Sequence, residues 1–131
     1  MFKDKVLLIT GGTGSFGNAV LKRFLCSDLQ EIRIFSRDEK KQDDMRKKYN
    51  NTKLKFYIGD VRDYQSVLNV TRGVDYIFHA AALKQVPSCE FYPLEAVKTK
   101  LLVLLLLLYR IRMVNNHNLY SFHLLLWKQF A

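Results

Sequence analysis

A short apolar strand followed at once by a glycine-rich turn constrains this chain more than anything else in it. The strand is Val6-Leu7-Leu8-Ile9-Thr10 and the turn is Gly11-Gly12-Thr13-Gly14-Ser15-Phe16-Gly17. Glycine reaches backbone angles closed to other residues and lets a pyrophosphate approach the main chain. A helix that starts there points free N–H groups and the positive end of its dipole at the anion. Glycines also cluster in ordinary turns, so the context has to supply the specificity. The run from Asn18 to Leu25 places Val20, Leu21, Phe24 and Leu25 at helical spacing, and the unit therefore reads strand, turn, helix. The expectation is a dinucleotide cradle, with the close approach made either by Gly12, Gly14 and Gly17 or by Gly11, Gly14 and Gly17.

The same alternation continues for about the first hundred residues. Strands are predicted at Val6–Thr10, residues 32–36, Leu54–Ile58 and Tyr76–His79, with helices starting near Ser15, Asp38 and Asp63. Asp38 and Asp63 suit N-caps, and Gly73 suits the stop of the third helix. An order βαβαβαβ implies a parallel sheet covered on both faces. Right-handed crossovers then give strand order 3-2-1-4, the first half of a Rossmann-type, doubly wound α/β fold.

From Lys100 the character changes. Residues 101–108 read LLVLLLLL, apolar on every side and without the stripe of a helix that covers one sheet face. A membrane span needs about twenty apolar residues, and this run is far shorter before Tyr109, Arg110 and Arg112. No membrane span is expected. Residues 119–127 form one more apolar segment of unassigned period. The division expected is therefore 1–99 as a nucleotide-binding half and 100–131 as a divergent tail.

At 131 residues the chain has one domain's length, short for a dinucleotide enzyme that carries its own substrate region. Its net charge of +9 suits an anionic partner or plain solubility. Asp38, Glu39, Asp43 and Asp44 are mixed among Arg37, Lys40, Lys41, Arg46, Lys47 and Lys48, which describes a solvated helix face and no nucleic-acid stripe. Cys26 and Cys89 lack metal-ligand spacing and read as reduced thiols of a cytoplasmic protein, with Cys26 expected to pack near the end of the first helix. No metal site is expected.

The end of the second strand selects the cofactor: an acid there holds the ribose hydroxyls of NAD, and a base accommodates the extra phosphate of NADP. This chain has Ser36-Arg37-Asp38-Glu39-Lys40-Lys41. Ser36 can donate a hydrogen bond, Arg37 can form a bidentate pair with phosphate, and Lys41 adds a point charge. NADP is favoured, with Asp38 the residue that speaks for NAD. Gly59-Asp60-Val61 ends the third strand, where a carboxylate can accept from the adenine amino group. His79-Ala80-Ala81-Ala82 ends the fourth, where Ala80 and Ala81 let a cofactor lie against the main chain. Lys84 follows, within reach of phosphate, ribose or substrate.

Taken together, TGGTGSFG, FSRDEKKQ, GDVRD and HAAALKQVPSCEFYPLEAVKT resemble the N-terminal part of the UDP-N-acetylglucosamine 4,6-dehydratases, members of the extended short-chain dehydrogenases that build bacterial surface polysaccharides. The resemblance covers residues 1–99. It implies NADP, a UDP-sugar substrate and a homo-oligomer. It assigns cofactor contacts to Thr13, Gly14, Ser15, Phe16, the run from Ser36 to Lys41, Asp60, Val61, Ala80 and Lys84, and also sets Lys84 against the sugar nucleotide. Family chemistry is oxidation at C4, loss of water across C5 and C6, and return of the hydride to C6. It needs a tyrosine and lysine for oxidation and an Asp-Lys pair for elimination.

Those groups are not found. The only tyrosine with a lysine four residues on is Tyr49 with Lys53, between the second helix and third strand, and no Asp or Glu follows Glu95. No catalytic residue is therefore assigned, and a frameshifted or truncated gene product is the expectation for the tail. The alternative function is a non-catalytic nucleotide-binding or subunit-docking module. In either case the fourth strand has an uncovered edge unless residues 119–127 pair with it.

Overall fold

The computed structural model describes residues 2–80 together with the backbone of Leu125–Leu126. Strand β1 (Val6–Thr10) leads through the glycine turn to helix α1 (Ser15–Phe24), and then come β2 (Glu31–Ser36), α2 (Glu39–Tyr49), β3 (Leu54–Ile58), α3 (Tyr64–Val70) and β4 (Tyr76–His79). A two-residue strand β5 (Leu125–Leu126) completes a sheet ordered β3-β2-β1-β4-β5. The four strands expected from the sequence stand in the expected 3-2-1-4 order, all parallel. Only the start of β2 differs, one residue earlier at Glu31, whose carboxylate pairs with Arg33.

Strand alternation sends neighbouring side chains to opposite faces. Leu7, Ile9, Ile32, Ile34, Leu54 and Phe78 pack with Leu21 of α1 and Met45 of α2. Leu8, Phe35 and Ile77 face the other way and meet Val67 and Val70 of α3. The sheet is thus sandwiched between α1 and α2 on one side and α3 on the other. Arg33 lies on the α3 face, where an apolar residue is the usual choice. Its guanidinium donates to the carbonyls of Val70 and Arg72 at 2.8 and 2.7 Å, satisfying the negative end of α3.

Helix ends follow local chemistry. Asp38 caps α2 by accepting from the Lys41 N–H at 3.0 Å, and Asp63 caps α3 by accepting from the Ser66 N–H at 2.9 Å. Helix α3 ends at Val70, the cap residue Thr71 donates its hydroxyl to the Val67 carbonyl at 2.8 Å, and the glycine expected as the stop follows two residues on. Gly73, at φ +72°, turns the chain beyond the cap. Cys26 is exposed, so the packing expected of it is not found; it falls after α1 has ended, where Leu29 takes the buried position.

β5 pairs with the last two residues of β4, Phe78 with Leu125 and His79 with Leu126, so part of the 119–127 segment does cover that edge. The 101–108 leucine run, Cys89 and the rest of the tail lie outside the described residues. No helix among the described residues is long and apolar enough to cross a membrane.

Candidate nucleotide-binding site

Parallel strands bring their carboxyl ends to one edge, and every loop expected to carry chemistry leaves from it. β1 ends at Thr10, β2 at Ser36, β3 at Ile58 and β4 at His79. Connections run one way from β1 through β2 to β3 and then return to β4 on the other side of β1, so the topological switch lies between β1 and β4. Thr10 and His79 stand opposite each other across that switch, and their Oγ1 and Nδ1 share a 2.6 Å hydrogen bond.

The ladders of β1, β3 and β4 also continue one residue into their loops. Gly11 N–H donates to the Phe35 carbonyl at 2.8 Å, Gly59 N–H to the Ser36 carbonyl at 3.0 Å, and Ala80 N–H to the Thr10 carbonyl at 2.9 Å.

The glycine turn brings the glycines of both spacings together. Gly11 holds φ +67°, which keeps its N–H on the β2 ladder and turns its carbonyl into the loop, where it accepts from Gly14 N–H at 3.1 Å. Gly17 lies so close that a Cβ there would sit 2.5 Å from Gly12 Cα and 2.7 Å from the Gly11 carbonyl oxygen. Gly12 instead packs on β2, where a Cβ would meet Ile34 Cγ2 at 2.8 Å. Gly17 therefore closes on both Gly11 and Gly12, and Gly12 also seats the loop on the sheet. Gly14 is the N-cap position of α1 and offers no side-chain cap to its first-turn N–H groups. Phe16 stacks on Phe78 with ring centroids 5.6 Å apart, and Asn18 Nδ2 donates back to the Gly14 carbonyl at 3.0 Å.

At the neighbouring loop Arg37 is exposed and reaches Asp60 at 3.7 Å. Asp38 is engaged by α2: besides the cap, its second oxygen lies 3.7 Å from Lys41 Nζ. Glu39 and Lys40 begin α2, on its solvent side. Asp60 is gripped by Arg62, whose Nη2 donates to Oδ2 at 2.6 Å, Nε to Oδ1 at 3.0 Å and backbone N–H to Oδ1 at 2.8 Å. The side-chain bonds from Arg62 come first in holding the Asp60 carboxyl below its usual range; the Arg62 N–H and the charges of Arg62 and Arg37 add to it, against partial desolvation. Val61 packs beside the α3-side core.

A pH dependence follows from Asp60. Because its folded value is depressed, its stabilising contribution is complete above the ordinary aspartate value of about 4 and is lost as pH falls through the folded value. Urea midpoints of the wild type and Asp60→Asn should differ near neutrality and converge as the solution is acidified below that range. A constant gap would mean that Arg62 does not hold the carboxylate.

Ala80 follows β4 directly, at the switch. Ala81 and Lys84 lie outside the described residues, so the structure groups Gly11, Thr13, Gly14, Ser15, Phe16, Gly17, Ser36, Arg37, Asp38, Glu39, Lys40, Lys41, Asp60, Val61 and Ala80 on one edge and leaves those two aside. Tyr49 and Lys53 flank the loop that enters β3, at the opposite edge. The Tyr49 hydroxyl faces Asn18 Oδ1 at 3.4 Å, and Lys53 Nζ donates to the Ser27 carbonyl at 2.7 Å. No cluster among the described residues could hold a metal ion.

Sequence reading passed over two residues. Arg62 gave a signal in standing two positions after Asp60, at the reach of a side chain folding back on its own turn. Gln42 gave one by sharing a helical face with Met45 and Tyr49, which sets a polar side chain toward the sheet; it is 1% exposed.

The parallel order, the switch point and the glycine turn closed on an uncapped helix define a Rossmann-type unit of the extended short-chain dehydrogenase kind. The chain belongs to the polysaccharide biosynthesis protein family, whose model it matches over residues 7–111. That match extends past residue 99 and takes in the leucine run. Over 106 residues it is 72% identical to a UDP-glucose 4-epimerase of Rickettsia prowazekii (strain Madrid E), covering 78% of this chain and 31% of that protein. The chain thus spans about a third of the length of the curated relatives it matches. Among solved structures it resembles Pen from Bacillus thuringiensis, with a TM-score of 0.77 at 36% identity over 85% of this chain and 35% of that one. It also resembles the UDP-Glc/GlcNAc 4-epimerase of Campylobacter jejuni, with a TM-score of 0.69 at 25% identity over 83% of this chain and 34% of that one.

Proposed function

We propose that residues 1–99 are the NADP-holding half of an enzyme that oxidises a UDP-sugar at C4, and that the 131-residue chain binds the nucleotide without turning the sugar over. The observation that carries the cofactor choice is the set of donors at the end of β2. Ser36 and the exposed Arg37 stand at that strand end with Lys41 in the first turn of α2, while one oxygen of Asp38, the acid that would receive the ribose hydroxyls of NAD, caps α2. The residues present fit a dinucleotide, since the glycine turn closes on itself without a Cβ at Gly17 and α1 begins without a side-chain cap. When bound, the nicotinamide supplies hydride exchange with the sugar. The chain's own part is to seat the pyrophosphate at Gly11, Thr13, Gly14, Ser15, Phe16 and Gly17, the ribose phosphate at Ser36, Arg37 and Lys41, and the adenine at Asp60 and Val61. Glu39 and Lys40 border that phosphate, Ala80 and Ala81 flank the ring, and Lys84 joins the site on the family resemblance, toward cofactor and sugar nucleotide alike.

The resemblance of the SRDE and AALKQVP blocks supports 4,6-dehydration of UDP-N-acetylglucosamine for surface polysaccharide, in a cytoplasmic homo-oligomer. The naming of the 72% identical relative supports the second reading, 4-epimerisation. Both begin with oxidation at C4, and they part only in what becomes of the ketone. Lack of turnover is supported by the separation of Tyr49 from Lys53: the hydroxyl of one is held at Asn18 in the first turn of α1, and the amine of the other at Ser27 beyond that helix's end. The boundary at residue 99 and a frameshifted tail of 100–131 remain part of the proposal, beside a family match that runs to residue 111; a gene with no family-like sequence in another frame past that point would sink the frameshift.

Titration of the purified chain with NADP and NAD, followed by thermal shift, tests the binding half. Tighter binding of NADP and an upward shift are expected; no affinity for either nucleotide would overturn it. Incubation with UDP-N-acetylglucosamine and UDP-glucose, read by NMR, tests the rest. No 4-keto product and no epimer are expected, and either one would refute the lack of turnover while naming the reaction.

A further inference from the structure

Gln42 is buried to 1% exposure beneath the start of α2, and its side chain ties that helix to two strand ends at once. Its amide nitrogen donates to Ser36 Oγ at 3.0 Å, lies 3.3 Å from the Ser36 carbonyl, and donates to the Tyr57 carbonyl at 2.8 Å. An amide nitrogen has two hydrogens, so one goes to Tyr57 and the other to the pair of Ser36 acceptors. Its Oε1 has no partner among the described residues. Packing alone would favour an apolar side chain of the same length over an amide whose oxygen is left unpaired. What the amide does that a thioether or an isobutyl group would not do is donate.

The consequence falls on Ser36, which is 9% exposed at the mouth of the edge. A hydroxyl has one proton and can accept two bonds. With Gln42 donating into Oγ, the Ser36 proton is not spent on Gln42, and among the described residues Oγ makes no other hydrogen bond. Gln42 also lies one turn beyond Asp38 and donates its backbone N–H to the Asp38 carbonyl at 3.1 Å, so fixing Gln42 fixes the Ser36-Arg37-Asp38 turn from below.

We propose that Gln42 is a positioning residue for cofactor choice: by donating to Ser36 it presents the Ser36 hydroxyl proton to the 2′-phosphate and so sets the preference for NADP over NAD. This rests on the NADP reading above, and the test is arranged so that the two fail differently. The full chain is titrated with NADP and with NAD as wild type, Gln42→Met, Ser36→Ala and the double variant. Gln42→Met keeps the volume and removes the donor. It should raise the NADP dissociation constant about tenfold and the NAD constant less than about threefold, the size expected for a hydrogen bond to a charged group. Ser36→Ala should do the same, and the double variant should lose no more preference than Ser36→Ala alone.

Equal weakening of both nucleotides by Gln42→Met, or losses of preference that multiply in the double variant, would reduce Gln42 to a packing residue and overturn the proposal. If Gln42→Met fails to give a cooperative melt, Ser36→Ala decides: an unchanged preference overturns the proposal. A wild-type chain that binds NAD as well as NADP removes the NADP reading, and this proposal with it, on the wild-type titration alone.

Discussion

Gly17→Ala should lower the stability of the chain by about 2–3 kcal/mol and remove nucleotide binding. Alanine is the better helix former by about 1 kcal/mol, so propensity alone predicts the opposite sign. The contact distances decide it. An added Cβ would lie 2.5 Å from Gly12 Cα, 2.7 Å from the Gly11 oxygen and 2.8 Å from the Gly12 carbonyl carbon. All three are main-chain atoms and cannot rotate away, so α1 must lift off the turn it closes. Urea denaturation measures the loss. Gly14→Ala is the comparison: among the described residues its Cβ would find only the Gly11 oxygen, at 3.4 Å, and the loss should stay at about 1 kcal/mol, the cost of alanine at an N-cap. A Gly17→Ala protein as stable as the wild type would mean that the helix does not rest on the loop.

Phe35→Ala should cost more, about 3–5 kcal/mol. Phe35 is 1% exposed and is the largest side chain of the α3-side core, where Leu8, Val67, Val70 and Ile77 surround it. Its ring also lies against Gly59, whose added Cβ would be 2.7 Å from Phe35 Cε2. Removing the ring therefore opens a cavity and takes away the floor of the loop that carries Asp60. The double effect is measurable: the denaturation midpoint falls, and nucleotide affinity falls at a temperature where the variant is still folded. Phe35→Leu, which leaves most of the volume, should recover much of both. A Phe35→Ala chain that keeps full affinity would separate the Asp60 loop from the core beneath it.

Most of the sheet was legible because its strands are short runs rich in branched and aromatic side chains, bounded by turn residues. Val6–Thr10, Leu54–Ile58 and Tyr76–His79 match the expected spans, and Asp38 and Asp63 cap as their side chains allow. Local chemistry sufficed there. It failed at Cys26, expected to pack and found exposed beyond the end of α1. It failed also where a residue's partner is distant in sequence. Nothing near Gln42 announces that its amide will reach Tyr57, and nothing near Arg33 announces that it will cap α3. The glycine turn was legible as a cradle, but the packing of Gly12 against Ile34 of β2 was not. Sequence does not show whether the Asp38 carboxylate faces a ribose or a helix; in the structure one of its oxygens caps α2.

The continuation of the ladder into the loops, at Gly11, Gly59 and Ala80, has a consequence in entropy. Each loop inherits the order of the sheet before any ligand arrives, so the conformational freedom that binding usually removes has been surrendered during folding. The amide protons of these three residues should then exchange with solvent as slowly as those of the strands and far more slowly than loop protons elsewhere. Affinity gained in this way is tied to the survival of the whole sheet, and a chain that loosens its strands loses its ligand with them.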